Sequence, residues 1–274
     1  AEETVRISQL ETQLARNEVI RRLGIAAEFR DTETGLHIVR MSKYAKAIAV
    51  AMGCDRDFCE LIELAATMHD VGKIGIDDSI LRKPGRLTAD EFATMQKHTL
   101  IGGRILEGED TLIRMAREIA LSHHEKWDGA GYPNALRGEE IPLSGRICAV
   151  ADVFDALTME RPYKSAWLAE RAIEEISAAS GGAFDPDVVA AFIRCLPEIY
   201  VVKARYHDEL TDPREFLPTS PDESREDDWI KWQDGFSIGI PVIDEHHRYL
   251  LSWTNRIHRA LREDSGRTEV AKAL

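Results

Sequence analysis

From residue 28 to about 206 apolar residues recur at i, i+3 and i+4, in stretches such as Met41 to Met52 and Phe58 to Met68, and two-residue alternation is scarce. That period lines the apolar side chains along one stripe of a helix, so they can be buried only by packing helix on helix. An all-α domain is predicted. Thr88-Ala89-Asp90-Glu91 reads as a capping box that starts a helix carrying His98. Pro186 stands at the first turn of a helix running through Val188, Val189 and Phe192. Loops rich in Gly and Pro, at 72–87 and 128–145, interrupt the pattern and are expected to shape a site.

With 274 residues, 44% of them hydrophobic, there is material for one large domain and a smaller piece. Cys54, Cys59, Cys148 and Cys195 show no CxxC spacing, so neither a thiolate metal site nor a disulfide framework is indicated, and a reducing cytoplasm fits best. No apolar run approaches the roughly 20 residues that cross a bilayer, so no membrane partner is expected. A net charge of −13 argues against binding a nucleic-acid polymer, which needs a basic surface. Nine Asp or Glu against two Arg crowd into 208–228, so the acid is local.

Residues 1–27 read as one long helix, with Ile7, Leu10 and Leu14 at heptad spacing, then Ile20, Leu23 and Ala27 after a slip near Asn17. A dimerising signalling helix and an ordinary first helix packed on the domain both fit this pattern. The first residue is not Met, and the expectation is a longer parent with a sensor or receiver domain upstream. Residues 207–228, with Pro213, Pro218 and Pro221 among the acids, read as a linker. Residues 229–274 form a different module that opens on Trp229 and Trp232.

The run HHEKWDGAGYP, from His123 to Pro133, asks to be read with His69-Asp70-Val71-Gly72-Lys73. Imidazoles and carboxylates recurring without thiols suit a metal centre, and Lys73 adds a positive charge suited to a phosphate. His37, His69, His98, His123 and His124 all fall beside glycine-rich or carboxylate-rich sequence, and Glu33, Asp70 and Asp152 accompany them. Glu33 and His37 lie one helical turn apart, on one face. A lone His on a helix is more often a surface or hydrogen-bonded core residue; the adjacent HD and HH pairs and the size of the set point to metal. Eight donors are too many for one ion and suit two or three, iron or manganese. A water bridging two such cations loses a proton near neutral pH and can attack phosphorus in line. Lys73 would help neutralise the phosphate oxygens.

Residues 28–206 resemble an HD-GYP domain, the branch of the HD phosphohydrolase superfamily whose members hydrolyse cyclic di-GMP. The segments FRDTETGLHIVRMSKYA, HDVGKIGI, KPGRLTADE, KHTLIGGRIL, HHEKWDGAGYP and RICAVADVFDALTMERPYKSAW stand in the family order and near its spacing. The resemblance implies an HD-superfamily helical bundle in which Glu33, His37, His69, Asp70, His98, His123, His124 and Asp152 are metal ligands, with Asp70 bridging. A glutamate at the position of Glu33 goes with three metals in the family, and its absence with two, so three are expected. Asp70 and Lys73 would serve catalysis, with Lys73 on the substrate phosphate. Tyr132 would shape the pocket, and Arg161 and Lys164 would grip the dinucleotide. Asp155 is given a supporting role outside the ligand set. The implied product is linear pGpG, cut again to GMP in many members. Two alternatives stay open: a hydrolase of another cyclic dinucleotide, and a non-catalytic cyclic di-GMP receptor signalling through its tyrosine loop.

DDWIKWQDGFSIGIPVIDEHHRYLLSWTNRIHRAL resembles the start of a bacterial hemerythrin, with His247 in the place of the first iron ligand. The usual Gln before that ligand is His246 here. A di-iron four-helix bundle draws further ligands from later helices, and residues up to Leu274 do not supply them, so no oxygen binding is expected of this segment as it stands. In a longer parent, oxygen or redox state could regulate the phosphodiesterase.

Overall fold

The computed structural model describes residues 17–25, 27, 35–159 and 166–206. The chain divides into two units, Ala1–Leu210 and Thr211–Leu274, and every described residue belongs to the first. The linker and the hemerythrin-like segment, His247 included, therefore lie outside the described residues, as do Ile7, Leu10 and Leu14. The described residues carry no β-strand, only an isolated bridge between Ser180 and Phe184, in agreement with the all-α prediction.

Residues 17–25 are helical and form α1. Then come α2 (Gly35–Ala51), α3 (Arg56–Ala65), two 3-10 turns (Ala66–Met68 and Val71–Gly75), α4 (Asp78–Leu81), α5 (Ala89–Met95), α6 (Lys97–Ile105) and α7 (Thr111–Ser122). A 3-10 turn, Gly138–Glu140, leads to α8 (Leu143–Thr158), and α9 (Ala169–Ala178), α10 (Pro186–Arg194) and α11 (Leu196–Arg205) follow. Local chemistry sets several of these boundaries. Asp55 accepts from Phe58 N at 2.7 Å to start α3, and Asp110 accepts from the backbone of Leu112 to start α7. Asp185 caps α10, whose first-turn Pro186 lacks the N–H that a helix start leaves unused.

Helix α2 runs through the middle, packed on α3, α8, α10 and α11. Its Met41, Tyr44, Ala45 and Ile48 are fully buried, which is the stripe the periodicity anticipated. The Tyr44 ring meets Phe154 of α8 edge-on at 5.6 Å, and Phe154 meets Phe192 of α10 at 5.2 Å. Removing the Phe154 ring would cost about 3–5 kcal/mol, the usual result of emptying an aromatic core position.

One sequence reading needs adjustment, and the described part of the first helix adds a detail. The Thr88 capping box is present, but the helix it starts ends at Met95, and His98 rides on the next helix. The break has a local cause: His98 Nδ1 takes the Met95 carbonyl at 2.7 Å, and the Thr99 N–H turns instead to Gln96 O at 3.3 Å. In α1, Ile20 is buried in the core while Leu23 is 60% exposed. The described part of the first helix thus packs on the domain, and Gly24 lies so close to the Thr67 carbonyl that a Cβ there would collide with it. Among the described residues no helix is long and apolar enough to cross a membrane. The four cysteines are free.

Candidate metal centre

The His69-Asp70 pair sits where two 3-10 turns join, and Asp70 leaves the helical region at φ −105°, ψ 12°. That departure turns its carboxylate toward α6. Close approach is possible because residue 72 is glycine: a Cβ there would collide with the His98 carbonyl. A similar intimacy joins α7 to α8, where Gly145 lies against the Ser122 side chain just before His123.

These contacts gather seven of the eight predicted ligand residues. Asp70, His98, His123 and His124 form one group, and His37, His69 and Asp152 another, each with its nitrogen and oxygen atoms within 4.8 Å of one another. Asp70 stands between them, with Oδ2 3.2 Å from His69 Nε2 and Oδ1 3.2 Å from His98 Nε2 and 3.5 Å from His123 Nε2. His37 Nε2 faces Asp152 Oδ1 at 3.5 Å. Lys73 Nζ is 2.8 Å from Asp70 Oδ2, so the predicted phosphate contact flanks the same centre. The eighth predicted ligand, Glu33, lies outside the described residues, and so do Arg161 and Lys164.

The imidazoles are aimed by their other nitrogen. Nδ1 of His69 is 3.1 Å from Ala66 O, that of His98 is 2.7 Å from Met95 O, and that of His123 is 2.9 Å from Ile119 O. A carbonyl can only accept, so Nδ1 carries the proton and Nε2 presents a lone pair to the interior. His37 is held differently. Its Nδ1 donates to Asp155 Oδ2 at 2.8 Å, and Asp155 is in turn gripped by Arg40. Asp155 thus stands behind His37, outside both donor groups.

Nε2 of His69, His98 and His123 and Oδ1 of Asp70 are buried and in no hydrogen bond. Four buried polar atoms pointed at one another without such a bond contradict the near-universal pairing of interior polar groups, and a shared cation resolves the contradiction. The donor set of neutral imidazole and carboxylate, free of thiolate, fits a divalent metal-binding site. The electrostatics of the ion-free cluster divide these groups, with His69 drawn toward its charged form by Asp70 and His123 and His124 kept neutral. Burial resists charge on Asp70, yet Lys73 and His69 hold its carboxyl well below the usual carboxylate range. Burial also opposes charge on His69, but the Asp70 carboxylate lifts its pKa above the ordinary value. Burial lowers His123 despite Asp70, and burial with the neighbouring His123 pushes His124 well down, so both stay neutral and able to ligate.

The glycine-rich turn walls this centre. The Tyr132 ring lies over His124 at 4.8 Å with planes 32° apart, and its N–H donates to His124 O at 3.2 Å. Burial, then the field of Asp70 and Asp152, raises its phenol pKa. Gly131 packs onto Lys126 N and Glu125 Cα with no room for a Cβ, and Gly129 has φ +84°, a turn conformation that favours glycine. Sequence reasoning passed over Glu125. It is 4% exposed, and its carboxylate accepts from Asn134 N at 2.7 Å and Leu136 N at 3.1 Å, closing the loop on itself. Arg40 was passed over as well; its only signal was a position three residues after His37.

Residues 10–188 match the HD domain family. The chain belongs to that family. The chain is 47% identical over 195 residues to a cyclic di-GMP phosphodiesterase of Thermotoga maritima, a match covering 71% of this chain and 53% of that one. Its identity to 3'3'-cGAMP-specific phosphodiesterase 2 of Vibrio cholerae is 45% over 192 residues, covering 70% and 37%. The chain thus spans about half or less of the length of these curated relatives. A solved cyclic GMP-AMP specific phosphodiesterase of Vibrio cholerae shares the fold of the HD domain, with a TM-score of 0.52 at 18% identity, over 90% of this chain and 66% of that one.

Proposed function

We propose that this protein is a metal-dependent phosphodiesterase that hydrolyses cyclic di-GMP to linear pGpG. The observation that carries the reading is Asp70, whose two oxygens each face a different imidazole group while Lys73 stands beside one of them. His37, His69, Asp70, His98, His123, His124 and Asp152, joined by Glu33, would hold two or three iron or manganese ions. Such ions, when bound, supply Lewis acidity toward the phosphoryl oxygens and an acidified water as nucleophile.

The chain's own residues do the rest. Lys73 offers Nζ as a fixed positive charge to a non-bridging phosphate oxygen. Tyr132 covers His124 and limits water on that side, and its raised pKa keeps the hydroxyl protonated as a hydrogen-bond donor. Asp155 keeps the proton on His37 Nδ1 and so keeps Nε2 available. Arg161 and Lys164 would help grip the dinucleotide. The domain would occupy 28–206, joined by the 207–228 linker to a hemerythrin-like segment at 229–274, and would act in the cytoplasm under an upstream sensor or receiver. Val19 and Leu23, 57% and 60% exposed one turn apart on α1, favour a homodimer through the first helix.

The test is chromatography of products after incubating the Fe(II)- or Mn(II)-loaded protein with cyclic di-GMP. Appearance of pGpG supports the reading, and stoichiometric binding without turnover points to the receptor alternative. The 45% identity to a relative named for 3'3'-cGAMP favours one second reading, hydrolysis of that mixed dinucleotide. Competing the two substrates in one reaction decides between them by the ratio of kcat/KM.

A further inference from the structure

Helix α5 contains no buried residue, yet it is firmly held. Thr88 accepts from Glu91 N and Glu91 accepts from Thr88 N at 2.7 Å. The same Glu91 carboxylate receives Lys83 Nζ at 2.7 and 2.8 Å, pinning the preceding loop. On this pinned turn stands Phe92, 48% exposed. The ring thus stands outside the core on a backbone that these bonds hold.

Its only aromatic neighbour among the described residues gives the direction. Phe92 meets Tyr132 edge-on at 6.1 Å, and Tyr132 lies against His124 and within 6.5 Å of His98. A line of rings therefore leads outward from the candidate metal centre and ends at an exposed aromatic face. In a nucleotide the base lies one ribose away from the phosphate. With the phosphate at Lys73 and the candidate metal ligands, a base one ribose away could reach the rings of Tyr132 and Phe92.

We infer that Phe92 is a specificity-determining residue that stacks a purine base of the cyclic dinucleotide. This rests on the proposed phosphodiesterase reading and adds a recognition element to it. Every base has a π face, so the stack selects nucleotides over other diesters and leaves the choice between guanine and adenine to other groups. Because α5 is already fastened, the ring needs little ordering when substrate arrives.

The experiment compares the metal-loaded wild type with Phe92→Ala, Phe92→Leu and Phe92→Trp in steady-state hydrolysis of cyclic di-GMP. Phe92→Ala is expected to raise KM about tenfold with kcat within about twofold. Phe92→Leu keeps the apolar volume without the ring and should resemble Phe92→Ala, whereas Phe92→Trp should restore KM to the wild-type value or below. An unchanged KM in Phe92→Ala, a fall in kcat alone, or full rescue by Phe92→Leu would overturn the stack. If the wild type turns over no cyclic dinucleotide, the phosphodiesterase reading fails separately. Equilibrium binding of cyclic di-GMP to the same metal-loaded proteins then decides the stack: about tenfold weaker binding by Phe92→Ala upholds it, and equal or undetectable binding by both overturns it.

Discussion

Arg40 and Asp155 form a buried bidentate pair, with Arg40 Nε 2.7 Å from Oδ1 and Nη2 2.8 Å from Oδ2, each residue 1% exposed. The remaining guanidinium nitrogen donates to Tyr206 O at 3.0 Å, where α11 ends. Burial disfavours the Asp155 charge, but His37 and Arg40 hold its pKa below the ordinary value. The work of the pair is to fix the ring of His37.

Two substitutions separate stability from metal affinity. Arg40→Met leaves a buried carboxylate without its cation and should cost about 3–5 kcal/mol in chemical denaturation. Asp155→Asn keeps the shape but weakens the hold on His37 Nδ1, and should reduce metal affinity about 10–100-fold. Metal titration of folded Asp155→Asn checks the second; undiminished affinity would show that His37 needs no anchor.

Glu125 should prove structural rather than catalytic. Glu125→Ala strands the Asn134 and Leu136 N–H groups and frees the loop that carries Tyr132. The expected loss is about 1.5–3 kcal/mol of stability, with kcat falling as Tyr132 loses its position. Denaturation and kinetics on one preparation measure both. Retention of full stability would mean that the loop is held elsewhere.

Much of this was legible in the residues. The 3.6-residue period foretold an all-helical domain because it records which side of each helix avoids water, and Met41, Tyr44, Ala45 and Ile48 obey it. The HD and HH pairs foretold a cluster because several of its donor residues come as neighbours in sequence. What periodicity does not record is which distant residue will be touched. The Arg40–Asp155 pair spans 115 positions, and arginine ordinarily signals surface. The break at Gln96 arose from a side chain claiming a helical carbonyl, a competition invisible to pattern. Phe92 stands on a helix with no buried side, so the apolar period does not single it out.

A pH effect is expected far from the centre. Glu63 on α3 lies 3.1 Å from Lys43 Nζ and 2.5 Å from Lys46 Nζ. Burial raises its pKa, but the two ammonium groups win and bring it below its ordinary 4.5. A depressed folded pKa means that the contribution is complete above pH 4.5 and is lost as pH falls through the folded value. Glu63→Gln should therefore lower stability by about 1 kcal/mol at neutral pH, and the difference from wild type should close in acid. Denaturant midpoints of both proteins across that range test the sign; a gap that widens in acid contradicts it.

The most direct measurement is metal content with turnover, on anaerobically prepared wild type and Asp70→Ala, each shown to be folded by circular dichroism. The account predicts about two or three divalent ions per wild-type chain with hydrolysis of cyclic di-GMP, and loss of both ions and hydrolysis in Asp70→Ala. A folded wild type that retains no stoichiometric iron or manganese, or an Asp70→Ala protein that hydrolyses as fast as wild type, would contradict it.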